Sequence, residues 1–375
     1  MNLPHRRHSN LHNIPERPSI LKKPLLLKTL FLLTTTLPAQ TPTFTTDPIP
    51  TTTPSAHAST LVELKNGDIL TAWFGGAAEG AKDVAIYSSR HTASGWSKPI
   101  ELAREPDTPT WNPVLFHDAH HRLWLYYKFG PSYTWWSAAR RFSDDEGRTW
   151  SPIVHLPAGI YGPIRDKPLL LADGSILSGT SVESYLSWSV WVERSTDNAL
   201  SWTRIGPITL PSLLESPQFT PAKTSEPNPA HGLIQPAIVA LGPLTAPATQ
   251  HLRLYARATT DIGHICVSDS QDGGKSWSPA RPIALPNPNS GIDAVRLQDG
   301  RIVLIYNNTP SGRTPLSLAV SKDGEHFTHI LDLETTPGEY SYPALIQSRN
   351  GDLLATYTWN RKHIQFATIP LISIP

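Results

Sequence analysis

Residues 143–150 read SDDEGRTW and residues 270–277 read SQDGGKSW, two copies of the pattern Ser-x-Asp-x-Gly-x-Ser/Thr-Trp. Residues 195–202 repeat it with Ala199 in the glycine position. With two shorter copies, the five aromatic ends are separated by 54, 52, 75 and 50 residues. The Asp carboxylate of such a turn accepts backbone N–H bonds, and the Trp ring fills the space between sheets. A period of about fifty residues indicates a repeat fold.

Apolar runs broken by a turn alternate with these boxes. Asn-Gly and Asp-Gly turns between β-prone runs are typical of β-hairpins, because glycine accepts a positive φ. Six such runs occur, at 61–70, 114–127, 169–177, 237–257, 294–306 and 344–357. We therefore predict an all-β fold, a six-bladed β-propeller with Asp-box hairpins. The last unit is short, so residues around 41–53 are expected to add its closing strand.

Composition excludes several classes of protein. The 375 residues are 39% hydrophobic with 12 Trp, enough for a large core, and 37 Pro disfavour long helices. The single cysteine, Cys266, excludes an intrachain disulfide and a cysteine-based zinc cluster. A net charge of +1 gives no reason to expect nucleic acid as a partner. Without a P-loop, dinucleotide fingerprint, HExxH or nucleophile elbow, we expect no cofactor and no catalytic metal.

The first forty residues have the order of an export signal. Residues 1–40 hold six basic and one acidic side chain, so the rest of the chain holds 26 basic and 30 acidic ones. The apolar run 25–37 contains Lys28 and is too short for a bilayer, which needs about 20 apolar residues. We expect a signal peptide-like leader, a Thr/Pro linker or closing strand at 41–54, and the propeller at 55–375. The protein is then secreted or periplasmic, without a membrane span, and a monomer.

Tandem Asp boxes on a six-unit β repeat resemble the sialidase (neuraminidase) superfamily, from about residue 55 onward. Three further segments carry the resemblance. Trp111-Asn112-Pro113 is similar to the Asn-Pro motif of the second blade, and residues 307–313 to the fifth-blade segment with the last active-site arginine. Residues 339–345 resemble the Tyr-Ser segment that opens the last blade.

The resemblance implies roles for particular positions. Sialidases clamp a sugar carboxylate with three arginines, protonate the leaving group with an Asp, and attack with a Tyr that a Glu activates. Arginine forks match carboxylates, and a neutral tyrosine is not repelled by an anionic substrate. The matching positions are His57 at the first arginine, Arg257 and Arg313 at the others, Glu79 or Asp83 at the acid, Gln235 at the glutamate, and Tyr342 or Tyr340 at the nucleophile.

Polar residues at blade starts are expected to converge on the central funnel of a propeller. Arg165, Asp166 and Lys167 would either supply the positive charge missing at the first arginine or form an internal ion pair, and Glu183 faces either the funnel or the surface. Aromatic residues would stack on sugar rings or pack blades together, namely Trp73, Tyr133, Trp135, Trp136, Trp188 and Trp191. The blade-start set is His57, Asn112, Arg165, Asp166, Gln235, Asp293 and Tyr342.

Three functions remain open at this point. The leading hypothesis is an exo-glycosidase that removes a terminal acidic sugar, sialic or uronic acid, from a glycan. The second is a polysaccharide lyase or uronate-directed hydrolase in which His57 and a tyrosine share proton transfer. The third is a glycan-binding propeller without activity, suggested by the losses at His57 and Gln235.

Overall fold

The computed structural model describes residues 43–211, 230–371 and 374. These residues form six antiparallel blades in chain order, each with its first strand nearest the axis. The blades make up five hydrogen-bonded sheets, because Ser187 and Trp188 of the third blade pair in parallel with His231 and Gly232 of the fourth. Blade 1 contains β2 (Ser55–Glu63), β3 (Ile69–Gly76), β4 (Ala85–Thr92), β5 (Gly95–Trp96) and β6 (Ile100–Ala103). Blade 2 contains β7 (Thr110–His117), β8 (Leu123–Phe129), β9 (Ser137–Ser143) and β10 (Val154–His155).

Blades 3 to 6 repeat this arrangement. Blade 3 contains β11 (Leu169–Leu170), β12 (Ile176–Glu183), β13 (Ser187–Ser195) and β14 (Thr203–Ile208). Blade 4 contains β15 (His231–Ala240), β16 (Leu252–Ala258), β17 (His264–Ser270) and β18 (Arg281–Pro286). Blade 5 contains β19 (Asp293–Arg296), β20 (Ile302–Asn307), β21 (Leu316–Ser321) and β22 (Thr328–Glu334). Blade 6 contains β23 (Tyr340–Gln347), β24 (Leu353–Trp359) and β25 (His363–Ile369).

The N-terminal strand of the described chain completes the last blade. β1 (Thr45–Ile49) pairs antiparallel with β25, from Thr45 opposite Thr368 to Ile49 opposite Ile364. Ile49 is buried among side chains of blades 1 and 6. The first and last parts of the propeller are therefore joined within one sheet, which leaves β25 with no free edge.

Neighbouring blades pack on each other all the way round. The inner strand β2 contacts both β7 and β23, and β15 contacts β12 and β19. β19 in turn contacts β23, and a cluster that includes Tyr126 and Ile176 joins blades 2 and 3. The predicted six-bladed propeller is confirmed. Two short 3-10 turns, Tyr133–Trp135 and Pro247–Thr249, interrupt the β structure, and no helix of the described residues could cross a membrane.

The Asp boxes form the turns between the third and fourth strands of blades 2 to 5. In blade 4, Ser270 Oγ donates to Asp272 Oδ1 at 2.8 Å, and Asp272 accepts from the backbone N of Lys275 and Ser276 at 3.0 and 2.9 Å. Gly274 has φ +84°, the left-handed conformation that the pattern requires. The boxes are structural, since the aspartate carboxylate accepts hydrogen bonds from its own turn.

The box turns also receive arginines from the preceding blade. Arg253 of blade 4 donates to the carbonyl oxygen of Gly324 in the box of blade 5, at 2.9 Å, and Arg194 of blade 3 donates to Gly273 O at 2.9 Å. Arg90 of blade 1 and Arg140 of blade 2 make the same kind of contact, to the carbonyl oxygens of Glu146 in the box of blade 2 and Ala199 in the box of blade 3. Each box carbonyl therefore joins two blades.

Candidate functional site

Four inner strands carry a β-bulge at the same end of the propeller. The pairing of β2 with β3, β7 with β8, β15 with β16 and β23 with β24 shifts register after its first two or three residue pairs. A bulge bends the strand and redirects one side chain. The bulged residues all have the positive φ that residues other than glycine seldom adopt, namely Ala58 (52°), Asn112 (37°), Gln235 (51°) and Tyr342 (51°).

A cavity of about 270 Å³ opens where these bulges meet, and every blade contributes to its wall. Three of the four bulged side chains line it, whereas blade 1 has the methyl group of Ala58 at the equivalent place. Positive φ at a residue as bulky as tyrosine marks a strained position, which is typical of functional sites. The lining residues are Glu79, Trp111, Asn112, Tyr133, Trp136, Glu183, Trp188, Gln235, Arg257, Arg313, Tyr342 and Arg361.

Arg257 connects the pocket groups of blades 4 and 6. Its Nη1 donates to Tyr342 Oη at 2.8 Å and to Gln235 Oε1 at 3.1 Å, and its Nε donates to Asn289 Oδ1 at 2.8 Å. No carboxylate in the described part of the chain forms an ion pair with it. Arg257 is therefore held by neutral oxygens only, and its positive charge is free to attract an anion.

Arg313 and Arg361 belong to a chain of ion pairs across the same pocket. Glu339 accepts from Arg313 Nη1 and from Arg361 Nε, each at 2.9 Å, and Arg361 also pairs with Glu79. Although burial opposes the shift, these carboxylates raise the pKa of Arg361. Burial also lowers the pKa of Arg313. Two of the three guanidiniums thus already have anionic partners.

Arg361 lines the pocket although it was not among the residues predicted from the sequence. It lies in the three-residue turn between β24 and β25, residues 360–362, where Asn360 and Arg361 have φ values of 49° and 56°. Because Trp359 pairs with Tyr340, this turn lies at the blade end from which Tyr342 reaches the pocket. An Asn-initiated tight turn between two β-prone runs was the available signal. The pocket therefore contains three arginines, although blade 1 supplies none of them.

Glu183 ends β12 and is the second carboxyl group of the pocket wall. Only 8% of the residue is exposed, and its Oε1 accepts a hydrogen bond from Ser181 Oγ at 3.1 Å. Burial, opposed by the charge of Arg257, raises the pKa of Glu183 to about 7. Of the two alternatives open for this residue in the sequence, the structure places it on the funnel side.

Aromatic rings form one wall of the pocket. Trp111 packs on Trp136 with ring centroids 5.8 Å apart, and Tyr133 meets Trp188 edge-on at 6.1 Å. Flat apolar rings beside polar groups suit the face of a sugar. The other aromatic candidates lie elsewhere, since Trp73 is in the core between blades 1 and 6, Trp191 stacks on an arginine, and Trp135 is exposed.

His57 lies behind the pocket wall. It is 1% exposed, and its ring packs on Tyr342 and Phe74 at centroid distances of 4.5 and 5.4 Å. Neither ring nitrogen has a hydrogen-bond partner. Burial, together with the charges of nearby arginines, lowers the pKa of His57 well below its usual value. The prediction that His57 exchanges protons with a substrate needs correction, because Tyr342 covers the ring.

Arg165, Asp166 and Asp293 surround the axis beneath the pocket and do not line it. Arg165 donates to Ile292 O at 2.7 Å, and its Cζ lies 5.5 Å from the ring centroid of Tyr342. Asp293 accepts from Lys167 Nζ at 2.8 Å and from the backbone N of Leu345 at 2.7 Å. Burial raises the pKa of Asp166 to about 7. This network joins blades 3, 5 and 6, so the expectation that these residues bind substrate is replaced by a supporting role.

Two further candidates lie outside the pocket. Asp83 is exposed, and its Oδ2 accepts from the backbone N of Ala77 at 2.9 Å, which closes the loop that carries Glu79. Tyr340 is 2% exposed and packs in the core of blades 5 and 6. Between the alternatives left by the sequence, the geometry therefore favours Glu79 over Asp83 and Tyr342 over Tyr340. Asn112, Gln235, Arg257 and Arg313 are brought together as expected.

The fold and the axial pocket define a six-bladed propeller with a sialidase-like fold. The chain belongs to the family described as BNR repeat-like domain, whose model matches residues 67–354. No curated protein matches this chain.

Several solved structures share the fold at low sequence identity. A protein of unknown function from Dyadobacter fermentans superposes with a TM-score of 0.69 at 15% identity, covering 89% of this chain and 100% of its own. The NanB sialidase of Streptococcus pneumoniae gives 0.66 at 14%, over 86% and 69% of the two chains. The intramolecular trans-sialidase of Ruminococcus gnavus gives 0.65 at 13%, over 86% and 96%. These similarities establish the fold of this chain.

Proposed function

We propose that the protein is a glycoside hydrolase that removes a terminal sugar carrying a carboxylate, a sialic or uronic acid. The observation that carries the proposal is the convergence of Arg257, Arg313, Arg361 and Tyr342 on one pocket with an aromatic wall. Sialidase and trans-sialidase activity in proteins of the same fold supports it. Fold alone does not define an activity, so the support comes chiefly from the pocket.

Arg257 is the primary carboxylate ligand in this proposal. Arg313 and Arg361 share their charge with Glu339 and Glu79, whereas Arg257 contacts only neutral oxygens. An incoming carboxylate would displace the weaker contact to Gln235 and form charge-assisted bonds with the guanidinium. The pocket then accepts one anionic group without opening its internal ion pairs.

Tyr342 is the proposed nucleophile. Its phenol oxygen accepts from Arg257 at 2.8 Å, so the phenol's own hydrogen is free to leave toward another acceptor. A phenol approaches an anionic sugar without the repulsion that a carboxylate nucleophile meets. The lyase alternative is not carried forward, because it relied on His57, which the tyrosine covers.

Replacing Arg257 with Ala tests the proposal. We expect kcat/KM on methylumbelliferyl sialosides or glucuronides to fall about 10- to 100-fold, the loss of a charge-assisted bond pair. Tyr342→Phe should abolish turnover while binding of the free acidic sugar persists. Arg148→Ala removes an exposed arginine of an Asp box and is the matched control. Unchanged kcat/KM in Arg257→Ala would show that Arg257 does not bind the substrate carboxylate.

One observation favours a second candidate, a glycan-binding propeller without turnover. Gln235 occupies the place of the activating glutamate and cannot act as a base, and it contacts Arg257. Titration calorimetry with acidic oligosaccharides, followed by product analysis of the same mixture, separates the two. Binding without any product would favour this second candidate over the hydrolase.

We also propose that the protein is exported and acts as a monomer. Residues 1–40, whose order of basic and apolar segments resembles a leader, lie outside the described residues. N-terminal sequencing of protein recovered outside the cytoplasm, with size-exclusion chromatography, tests both statements. Recovery of the uncut chain from the cytoplasm would contradict the export proposal.

A further inference from the structure

Glu183 and Glu79 are the two carboxyl groups that line the pocket, and their surroundings differ. Glu79 is exposed, and its carboxylate forms an ion pair with Arg361. Glu183 is 8% exposed and forms no ion pair within the described residues.

The position of Glu183 is fixed by the sheet. It is the last residue of β12 and pairs with Trp188 of β13, so its backbone is part of a ladder rather than a free loop. Ser181 Oγ donates to one carboxyl oxygen at 3.1 Å, and Glu183 lines the same cavity as Tyr342 and Arg257. A carboxyl group held by a strand is better oriented for proton transfer than one on a glycine-rich loop.

The charged and titratable groups that face Glu183 come from three other elements. The charge of Arg257 on β16 favours the ionised form of Glu183. Tyr133, in the 3-10 turn, and Tyr161, in the loop between β10 and β11, are neutral, because burial raises the pKa values of both phenols. Burial outweighs the charge of Arg257, so the pKa of Glu183 is about 7. Near neutral pH the group therefore exists in both protonation states, as acid–base catalysis requires.

We propose that Glu183 is the catalytic acid of the pocket and gives its proton to the glycosidic oxygen of the substrate. The inference rests on the proposed hydrolase function. As the bond between anomeric carbon and leaving oxygen breaks, its electron pair stays on that oxygen, which takes the proton from Glu183. The anomeric carbon gains a bond from Tyr342 Oη, whose proton passes to solvent.

The second half of the reaction restores the protein. A water oxygen bonds to the anomeric carbon and gives its proton to the Glu183 carboxylate. The phenol oxygen leaves with its electron pair and takes a proton from solvent. The net change is one glycoside and one water converted to the free sugar, a hemiacetal or hemiketal, and one alcohol, with Glu183 and Tyr342 as they began. In this scheme Glu79 holds Arg361 in place and transfers no proton.

Glu183→Gln, compared with Glu79→Gln, tests the inference with two substrates. In one substrate the leaving group is nitrophenol, which departs without protonation. In the other it is the hydroxyl group of a second sugar, which must be protonated to depart. We expect Glu183→Gln to lose about 100-fold or more in kcat/KM on the substrate with a sugar leaving group, and less than about 10-fold on the nitrophenyl glycoside. The alkaline limb of the pH profile should disappear in Glu183→Gln and persist in Glu79→Gln.

Three controls decide the interpretation. The affinity of Glu183→Gln for the free acidic sugar, and its circular dichroism, should match the wild type. Glu183→Asp, which withdraws the carboxyl group by one methylene, covers the case in which the glutamine variant does not fold; it should show the same leaving-group dependence with a smaller loss. Equal losses on both substrates, or a wild-type pH profile, would overturn the assignment of Glu183 while the hydrolase proposal stands. A wild-type protein inactive on every acidic glycoside would overturn both.

Discussion

At the scale of single residues, His57 shows how an apolar setting changes a polar side chain. Both ring nitrogens are buried without a partner, an arrangement that is costly for a charged ring and tolerable for a neutral one. Its contacts are the rings of Phe74 and Tyr342. The neutral ring of His57 therefore packs beneath Tyr342 as an apolar side chain would. Protonation of this ring would place a cation next to several arginines.

We predict that His57→Leu makes the protein less sensitive to acid. The pKa of His57 is lower in the folded than in the unfolded state, so the unfolded state takes up the extra proton and stability falls as pH drops below about 6.5. Without this histidine, the free energy of unfolding should decline less, by up to about 1.4 kcal/mol per pH unit below that value. Urea unfolding between pH 7 and pH 5 measures it. His120→Leu, at an exposed site, is the control, and parallel behaviour of the two variants would contradict the prediction.

At the scale of elements, the Asp box is a complete local unit. Its serine, aspartate and second hydroxyl residue hold each other, as Ser195, Asp197 and Ser201 do even where Ala199 replaces the glycine. Ala199 takes φ 65° in that box. The boxes were recognisable in the sequence because all their contacts lie within eight residues. The arginines that reach the box carbonyls from the preceding blade were not recognisable in the sequence, since those contacts span about 56 to 79 residues.

We predict that Asp272→Ala destabilises the protein by about 1 to 2 kcal/mol, because the turn loses several hydrogen bonds at a partly solvated site. Although burial opposes the shift, hydrogen bonds from Ser276 lower the pKa of Asp272 to about 2. The contribution is thus present above about pH 3.8 and is lost as pH falls toward 2. Thermal unfolding at pH 7 measures it. Gln271→Ala, at the next position, should change stability by less than about 0.5 kcal/mol, and an equal effect of the two would disprove the prediction.

At the scale of the whole molecule, the ring depends on a strand from the other end of the chain. β1 pairs with β25, and Ile49 inserts between blades 1 and 6 beside Phe366 and Trp73. The cavity at the axis needs every blade in place, because each blade contributes at least one lining residue. The pocket is therefore complete only when the ring is closed.

We predict that Ile49→Ala lowers the free energy of unfolding by about 2 to 4 kcal/mol, because it leaves a void in the contact that closes the ring. Thr46→Ala, on the exposed part of the same strand, keeps the β1–β25 pairing and should have little effect. Denaturant unfolding followed by tryptophan fluorescence compares the two. Equal stabilities would show that β1 does not close the propeller.

The blade number, the hairpins and the positions of the Asp boxes could be predicted from the sequence, because they depend on turn chemistry and on a repeat of about fifty residues. It also pointed to Asn112, Gln235 and Tyr342 as neighbours, since they flank the first strands of their blades, and the resemblance to sialidases added Arg257 and Arg313. Which charges meet depends on the folded chain. Arg361 reaches the pocket from a turn, His57 is covered, and Glu183 loses its hydration, because burial and ion pairing depend on side chains far apart in the chain.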